Sequence, residues 1–397
     1  MVGSLNGIKV LDFSRAYSGP FCTLMLKDLG AEIIKVELTG SGDTVRRDYP
    51  VTKGGESGTF IILNRGKKSI TLNLKSVKGR EICKKLVEKV DVLIENYSPG
   101  TMEKLGLGHE ELCQQNPRLV YASISGFGHS GPYRDYVSYD PIAQAMGGMT
   151  SVTGFPDSPP IKCGVSIADF STGLYTALAI TAALNHRNNT GEGQWIDMSL
   201  QDCVWQFSSI EFSPPYFLNG KILPRLGNGH PSMAPGNLYV AKDGPVLIST
   251  GVLNQVLRLY KVMGREDLCN TPLAANQSER YQYKPQIDQA VGEWTKTKTV
   301  EEVLAILRKE EIPCSPVPSF DKVCEDPQLK SREMVIEVEQ EMSGPVKVPG
   351  SLFKMSKTPG YIKYPAPILG ENNQEILSGM LGFSEDEIAQ FSSDGVI

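Results

Sequence analysis

The sequence predicts an α/β protein: a Rossmann-like large domain built on a mostly parallel sheet, with a smaller α+β domain. Three observations carry that expectation. Short apolar runs alternate with helical periods through the first half of the chain, the pattern of strand–helix–strand crossovers. The texture changes at Gly236, where an antiparallel hairpin pattern begins. The chain is also 397 residues long, more than one ordinary core accommodates, so two domains are expected.

The elements follow in order. Ile8 to Phe13 is mostly apolar and reads as a strand. Ser18-Gly-Pro20 opens a helix running through Leu29, with Pro20 near its first position. Ala31 to Leu38 and Ser69 to Leu74 read as strands, and Gly79 to Val90 as a helix. Asp91 to Glu95 and Leu119 to Ile124 are short buried strands. A helix is expected from Phe170 to His186, a strand at Trp195 to Met198, then a helix from Gln201 to Phe212. Ser213-Pro-Pro215 and Pro224 break the pattern and suggest a linker. Tyr239 to Ser249 reads as a hairpin turning at Asp243-Gly244. Helices follow at Val252–Met263, Ile287–Lys296 and Val300–Lys309, then a strand at Val335–Val338. Closing helices are expected at Asn373–Met380 and Ser384–Phe391. The expected domains are 1–215, a small domain at 225–330, and a return to the large domain over 331–397.

Composition excludes several function classes. The chain is 40% apolar and 21% charged, as folded globular proteins are. A formal charge of -5 gives no polyanion-binding surface, so no nucleic-acid partner is expected. No basic segment followed by an apolar run opens the chain, and no apolar run reads as the ~18 residues of a membrane span. Eight scattered cysteines without a C-x-x-C pair read as reduced thiols of a cytoplasmic protein. Four histidines lack metal-ligand spacing, so no metal is expected.

Asp169 is the most informative residue. It stands among Val165, Ile167, Ala168 and Phe170, where an apolar run meets small residues that open a helix. Two readings fit. It is the N-cap of that helix, or a nucleophile kept anionic by the helix N-terminus.

The rest of the chain resembles the family III CoA-transferases, the group of formyl-CoA:oxalate and carnitine CoA-transferases. The resemblance runs from Leu5 to about Phe391. It rests on Gly7-Ile-Lys-Val-Leu-Asp-Phe-Ser14, Ser18-Gly-Pro-Phe21, Leu29-Gly-Ala-Glu-Ile-Ile-Lys-Val-Glu37 and Gly40-Ser-Gly-Asp43. It continues through Asn64-Arg-Gly-Lys-Lys-Ser-Ile70, Asn96-Tyr-Ser-Pro-Gly100, Ser125-Gly-Phe-Gly128 and Tyr139-Asp-Pro-Ile-Ala-Gln144. Thr190-Gly-Glu-Gly-Gln-Trp-Ile-Asp197 and Leu226-Gly-Asn-Gly-His-Pro231 complete it.

The resemblance implies CoA transfer between an acyl-CoA and a small carboxylic acid, an interlocked homodimer and no permanently bound cofactor. It makes Asp169 the nucleophile, through a mixed anhydride and an aspartyl-CoA thioester. It puts Tyr139 against the CoA arm and Asp140 facing the active site; read as residues alone, a half-buried aromatic and a helix cap before Pro141 are favoured. Arg15, Lys67, Lys68, Lys75 and Lys104 are the cations nearest the expected phosphates. Tyr17, Ser18, Leu38, Leu72, Asn73, Leu74, Asn96, Tyr97 and Ser98 fall in segments lining the adenosine and pantetheine path. Ser18-Gly19 and Ser125-Gly126 are candidates for oxyanion donors. His230 is a minor candidate for the acyl pocket.

Two departures weigh against formyl/oxalate specificity: Tyr17 replaces a glutamine, and no Gly-rich loop follows Ile248. Three further functions stand beside CoA transfer. The related 2-methylacyl-CoA racemases need two acid/base groups about the α-carbon, and only His129, in a turn, is near. A non-catalytic CoA-binding protein stays open. A dehydrogenase lacks its G-x-G-x-x-G fingerprint after the first strand.

Overall fold

The computed structural model describes residues 3–362 and 364–397. They form two compact units. The first comprises 3–149, 162–208 and 327–397, and the second 150–161 and 209–326.

A six-stranded sheet organises the first unit. Its strands are β1 (Lys9–Asp12), β2 (Glu32–Glu37), β3 (Lys68–Thr71), β4 (Val92–Glu95), β5 (Val120–Ser125) and β6 (Trp195–Ser199). They lie in the order β3-β2-β1-β4-β5-β6, and every pairing is parallel. Strand order reverses between β1 and β4, the switch point where such sheets open a ligand crevice.

Alternation along the strands builds a core on each face. Leu11, Ile34, Ile70, Leu93 and Tyr121 meet the Val77–Val87 helix and the closing helices, Asn373–Leu381 and Glu385–Ser393. Val10, Ile33, Val92, Ile94 and Val120 meet the Ser18–Asp28 and Ile167–Thr190 helices on the other. The latter is the one described helix long and apolar enough to cross a bilayer. Its Ala168, Gly173, Ala177, Ile180 and Leu184 are buried in this core.

Three local expectations are corrected. Pro20 is the third residue of its helix, where an N–H has no intrahelical acceptor and its loss is harmless. The Leu200–Asn219 helix continues through Pro214 and Pro215; together they delete only two backbone donors in its last turns. The strand at Val335 is β10 (Val335–Gln340), which pairs antiparallel with an unexpected β11 (Gly344–Pro349).

The second unit holds the hairpin of β7 (Gly236–Val240) and β8 (Pro245–Ser249), extended by β9 (Cys314–Pro316). Helices at Leu253–Val262, Lys284–Thr295 and Val300–Lys309 cover it. The Thr150–Ile161 segment is bound here, through Gly227 N–H to Gly154 O and the Arg225 guanidinium to Phe155 and Pro156 carbonyls.

Beneath the carboxyl ends of β1 to β3 lies a network of buried charge. Lys67 donates to Asp12 Oδ2 at 3.3 Å, Thr23 Oγ1 at 2.7 Å and Asn64 Oδ1 at 2.9 Å. Lys35 pairs with Asp43 at 2.8 Å, and all four charged side chains are fully buried. Burial pulls the Lys67 ammonium down to about 8 despite Asp12 beside it. Removing one member strands the other's charge in a dry core. Lys67→Met should therefore cost about 3–5 kcal/mol of stability, read from the urea unfolding midpoint at neutral pH.

Candidate active site

The loops after β1 and β4 meet at the switch point. Residues 13–18 leave β1 and turn through Ala16, whose φ of 61° is left-handed without being glycine. Four groups hold that turn. Asp12 Oδ1 accepts Ser14 N–H at 2.9 Å. Lys35 Nζ donates to Ser14 O at 2.8 Å. Asp43 Oδ1 accepts Ala16 N–H at 3.1 Å. Asn96, just past β4, accepts Arg15 N–H and donates to Arg15 O, both at 2.8 Å. The Asn96 amide also reaches Ser18 Oγ at 3.5 Å.

Asp169 sits at the third position of the Ile167–Thr190 helix, whose N-cap is Ser166. The expectation that Asp169 caps the helix is thereby corrected. Its side chain lines a cavity of about 550 Å³ together with Tyr17, Ser18, Asn96, Tyr97 and Tyr139. The Ser18 hydroxyl hydrogen-bonds the Asp169 carboxyl. Burial pushes that carboxyl up to about 7; the nearby Asp140 charge adds to the rise and Ser18 opposes it. The expectation of a carboxylate held anionic by the helix N-terminus is corrected too. A helix end is worth about 0.3–1 kcal/mol near a surface, whereas desolvation moves a carboxyl by several pH units.

The other expected residues distribute over two cavities of the first unit. Arg15, Ser98, Ser125 and Gly126 also line the cavity of Asp169. Leu38, Leu72, Leu74, Lys75 and Lys104 line a second cavity of about 490 Å³. Arg15 and Tyr97 belong to both, and the Arg15 guanidinium lies 4.7 Å over the Tyr97 ring.

Asn73 and Asp140 line neither cavity. Asn73 binds the chain's end, its N–H to Val396 O and its amide to Gly395 O. Asp140 is 5% exposed and lies behind the wall, accepting the Ala168 N–H at 2.8 Å and the Asp169 N–H at 3.4 Å. The resemblance had it face the site.

The family model for CoA-transferase family III matches residues 5–373. The chain belongs to that family. It is 35% identical to a succinyl-CoA–D-citramalate CoA-transferase of Chloroflexus aurantiacus over 394 residues, covering 99% of this chain and 98% of the relative. It is also 35% identical to a formyl-CoA:oxalate CoA-transferase of Rhodopseudomonas palustris, covering 100% of this chain and 98% of the relative. Among solved structures, a CAIB/BAIF family protein from Brucella suis superposes with a TM-score of 0.84 at 36% identity, over 96% of this chain and 100% of that one.

In this CoA-transferase two lysines drop out as phosphate ligands. Lys67 is spent on the buried network, and Lys68 bridges Glu32 and Glu375 at the opposite end of the strands. His129 leaves its backbone N–H on Asp197 and its ring edge-on to Trp195, and it lines neither cavity. His230 lies in the second unit, where its Nδ1 accepts the Ser232 N–H at 3.1 Å.

Sequence reasoning missed Thr44, Val45 and Asp48, and Tyr136 to Ser138, all in the wall beside Asp169. Their signal was proximity: the first group follows Gly40-Ser-Gly-Asp43, and the second precedes Tyr139.

The raised Asp169 carboxyl has a consequence for stability. Its folded-state value lies above the unfolded 3.8, so the native state holds this proton more tightly. That contribution is intact below about 4 and is lost as pH rises through about 7. Asp169→Asn should thus match the wild type in urea unfolding at pH 3 and exceed it at pH 8.

Proposed function

We propose that this enzyme moves CoA from an acyl-CoA donor to a carboxylic acid acceptor through Asp169. One observation carries the reading. In a family III CoA-transferase, a partly buried carboxyl raised to about 7 shares a cavity at the switch point with Arg15, Ser18, Asn96 and Tyr97.

The steps follow from the chemistry of thioesters and anhydrides. An Asp169 Oδ attacks the donor carbonyl, the carbon–sulfur bond breaks, and CoA leaves as its thiolate with a mixed anhydride on the protein. The thiolate attacks the Asp169 γ-carbonyl, which releases the first acid and leaves an aspartyl-CoA thioester. The acceptor carboxylate attacks that thioester, breaking its carbon–sulfur bond to give a second mixed anhydride and free thiolate, and the thiolate then attacks the acceptor's carbonyl to form the new acyl-CoA and release the Asp169 carboxylate. Each intermediate keeps the activation that water would destroy, so the cavity must be dry when occupied. Ser18 and the small Ser125-Gly126 turn are suited to supply donors to the developing oxyanion.

The second cavity, with Lys75 and Lys104 at its edge, suits the nucleotide end of CoA. Lysine there gives charge without a bidentate fork. The acids of the two relatives, succinate, citramalate, formate and oxalate, make small mono- and dicarboxylates the class to test. Exposed Leu174, Leu178 and Trp205 on the helices beyond the cavity fit the homodimer that the family resemblance implies.

Incubation with succinyl-CoA and no acceptor should add CoA to the protein by intact mass, and borohydride should reduce that thioester at the Asp169 peptide. Formation of the adduct should rise with pH through about 7, as Asp169 loses its proton. Asp169→Ala should lose the adduct and at least about 10³-fold in transfer rate. Full activity in that variant would overturn the assignment.

A further inference from the structure

The helix that carries Asp169 starts without help from its own N-cap. Ser166, at φ −75° and ψ 65°, makes no side-chain bond to it. A carboxylate brought from elsewhere in the chain takes that place. Asp140 Oδ1 accepts the Ala168 N–H at 2.8 Å and the Asp169 N–H at 3.4 Å. Its other oxygen accepts a hydrogen from Gln144 Nε2 at 2.7 Å. The same amide donates to Val165 O at 3.2 Å, and Gln144 Oε1 accepts the Cys163 N–H at 2.8 Å.

Gln144 is fully buried. Its donors and acceptor are thus committed to Asp140 on one side and to the 163–165 turn on the other. The two residues stand one helical turn apart on the Asp140–Met146 helix, so their side chains share a face.

We propose that Asp140 and Gln144 are a positioning pair for Asp169. Gln144 fixes the rotamer of Asp140 and the turn that leads into the nucleophile helix. Asp140 occupies the free N–H groups of that helix's first turn. The inference rests on Asp169 as the nucleophile, but its physical content is separate. The helix end spends its hydrogen bonds on Asp140, so the Asp169 carboxyl is left with Ser18 and with a like charge behind it. Arg15 and Asp48 are the other charged groups in the cavity wall, and Tyr17, Tyr97, Tyr136 and Tyr139 the phenols.

The test reads Asp169 directly. Infrared difference titration of the carboxyl band missing in Asp169→Asn gives its midpoint with no substrate present. Asp140→Asn keeps an oxygen for Ala168 and removes the charge; it should lower that midpoint by about one pH unit. Gln144→Met keeps the charge and removes the amide. It should leave the midpoint in place and lower kcat by about tenfold or more, with KM for succinyl-CoA unchanged.

An unmoved midpoint in Asp140→Asn overturns the proposal. So does a rise in KM at unchanged kcat in Gln144→Met, which would put this pair against substrate. Should Asp140→Asn fail to fold, the kcat and KM split of Gln144→Met decides alone. If wild-type protein forms no CoA adduct while the midpoint still falls in Asp140→Asn, the nucleophile reading fails and the positioning pair stands.

Discussion

The cavity depends on one turn being held still, the passage of the chain from β1 into the Ser18–Asp28 helix. This turn carries Arg15, Tyr17 and Ser18, and it bends through a non-glycine residue in the left-handed region. Such a conformation persists only when its surroundings over-determine it. Here they do, through Asp12, Lys35, Asp43 and Asn96, each bonded to a different backbone group. Buried ion pairs are weak sources of net stability, because desolvation offsets most of their attraction. Their value here is geometric. Asp43 and Lys35 come from outside the turn, so it cannot shift without breaking a pair in the core.

The same trade between burial and pairing decides the state of the carboxyls. Asp12, buried as deeply as any group in the chain, is drawn below the ordinary carboxylate range because Lys67, Lys35, Ser14 and Thr23 outweigh its desolvation. Asp169 lacks a cation, and its carboxyl rises to about 7. A higher value makes a more nucleophilic anion but leaves less of it ionised, and the product of the two is greatest near the working pH. The position of Asp169 therefore suits a group that must attack a thioester and later leave from an anhydride.

Much of this was legible in the sequence. Strands β1, β2, β4 and β5 announce themselves because strands of a parallel sheet buried on both faces are rich in apolar residues. The segments that follow β1 and β4 could be singled out as a site through the family resemblance and because ligands in such sheets bind at the carboxyl ends of strands; the reversal of strand order between them shows only in the fold. The β10–β11 ribbon was half hidden. Pro345 and Pro349 disguise its second strand, and a two-stranded ribbon tolerates prolines on an outer edge. The state of Asp169 was not readable at all. Its local neighbours suggest a favoured anion, but the helix N–H groups are taken by Asp140, 28 residues away from Ala168. The competition is tertiary, and no local pattern contains it. Lys67 misled for the same reason: a lysine beside a second lysine looks solvated until the fold closes Asp12 and Thr23 around it.

The lining of the cavity also bears on which chemistry on acyl-CoA it suits. Proton exchange at an α-carbon requires an acid and a base on opposite faces, both titrating near neutrality. Beside Asp169 the wall offers the phenols of Tyr17 and Tyr139, and the one nearby histidine, His129, is turned onto Trp195 instead. Transfer through an anhydride asks for less. One carboxylate serves as nucleophile and leaving group in turn, the thiolate shuttles the sulfur, and no second base is consumed. A site with a single raised carboxyl, a hydroxyl bonded to it and small residues in the same wall is adequate for that cycle and poorly equipped for the other.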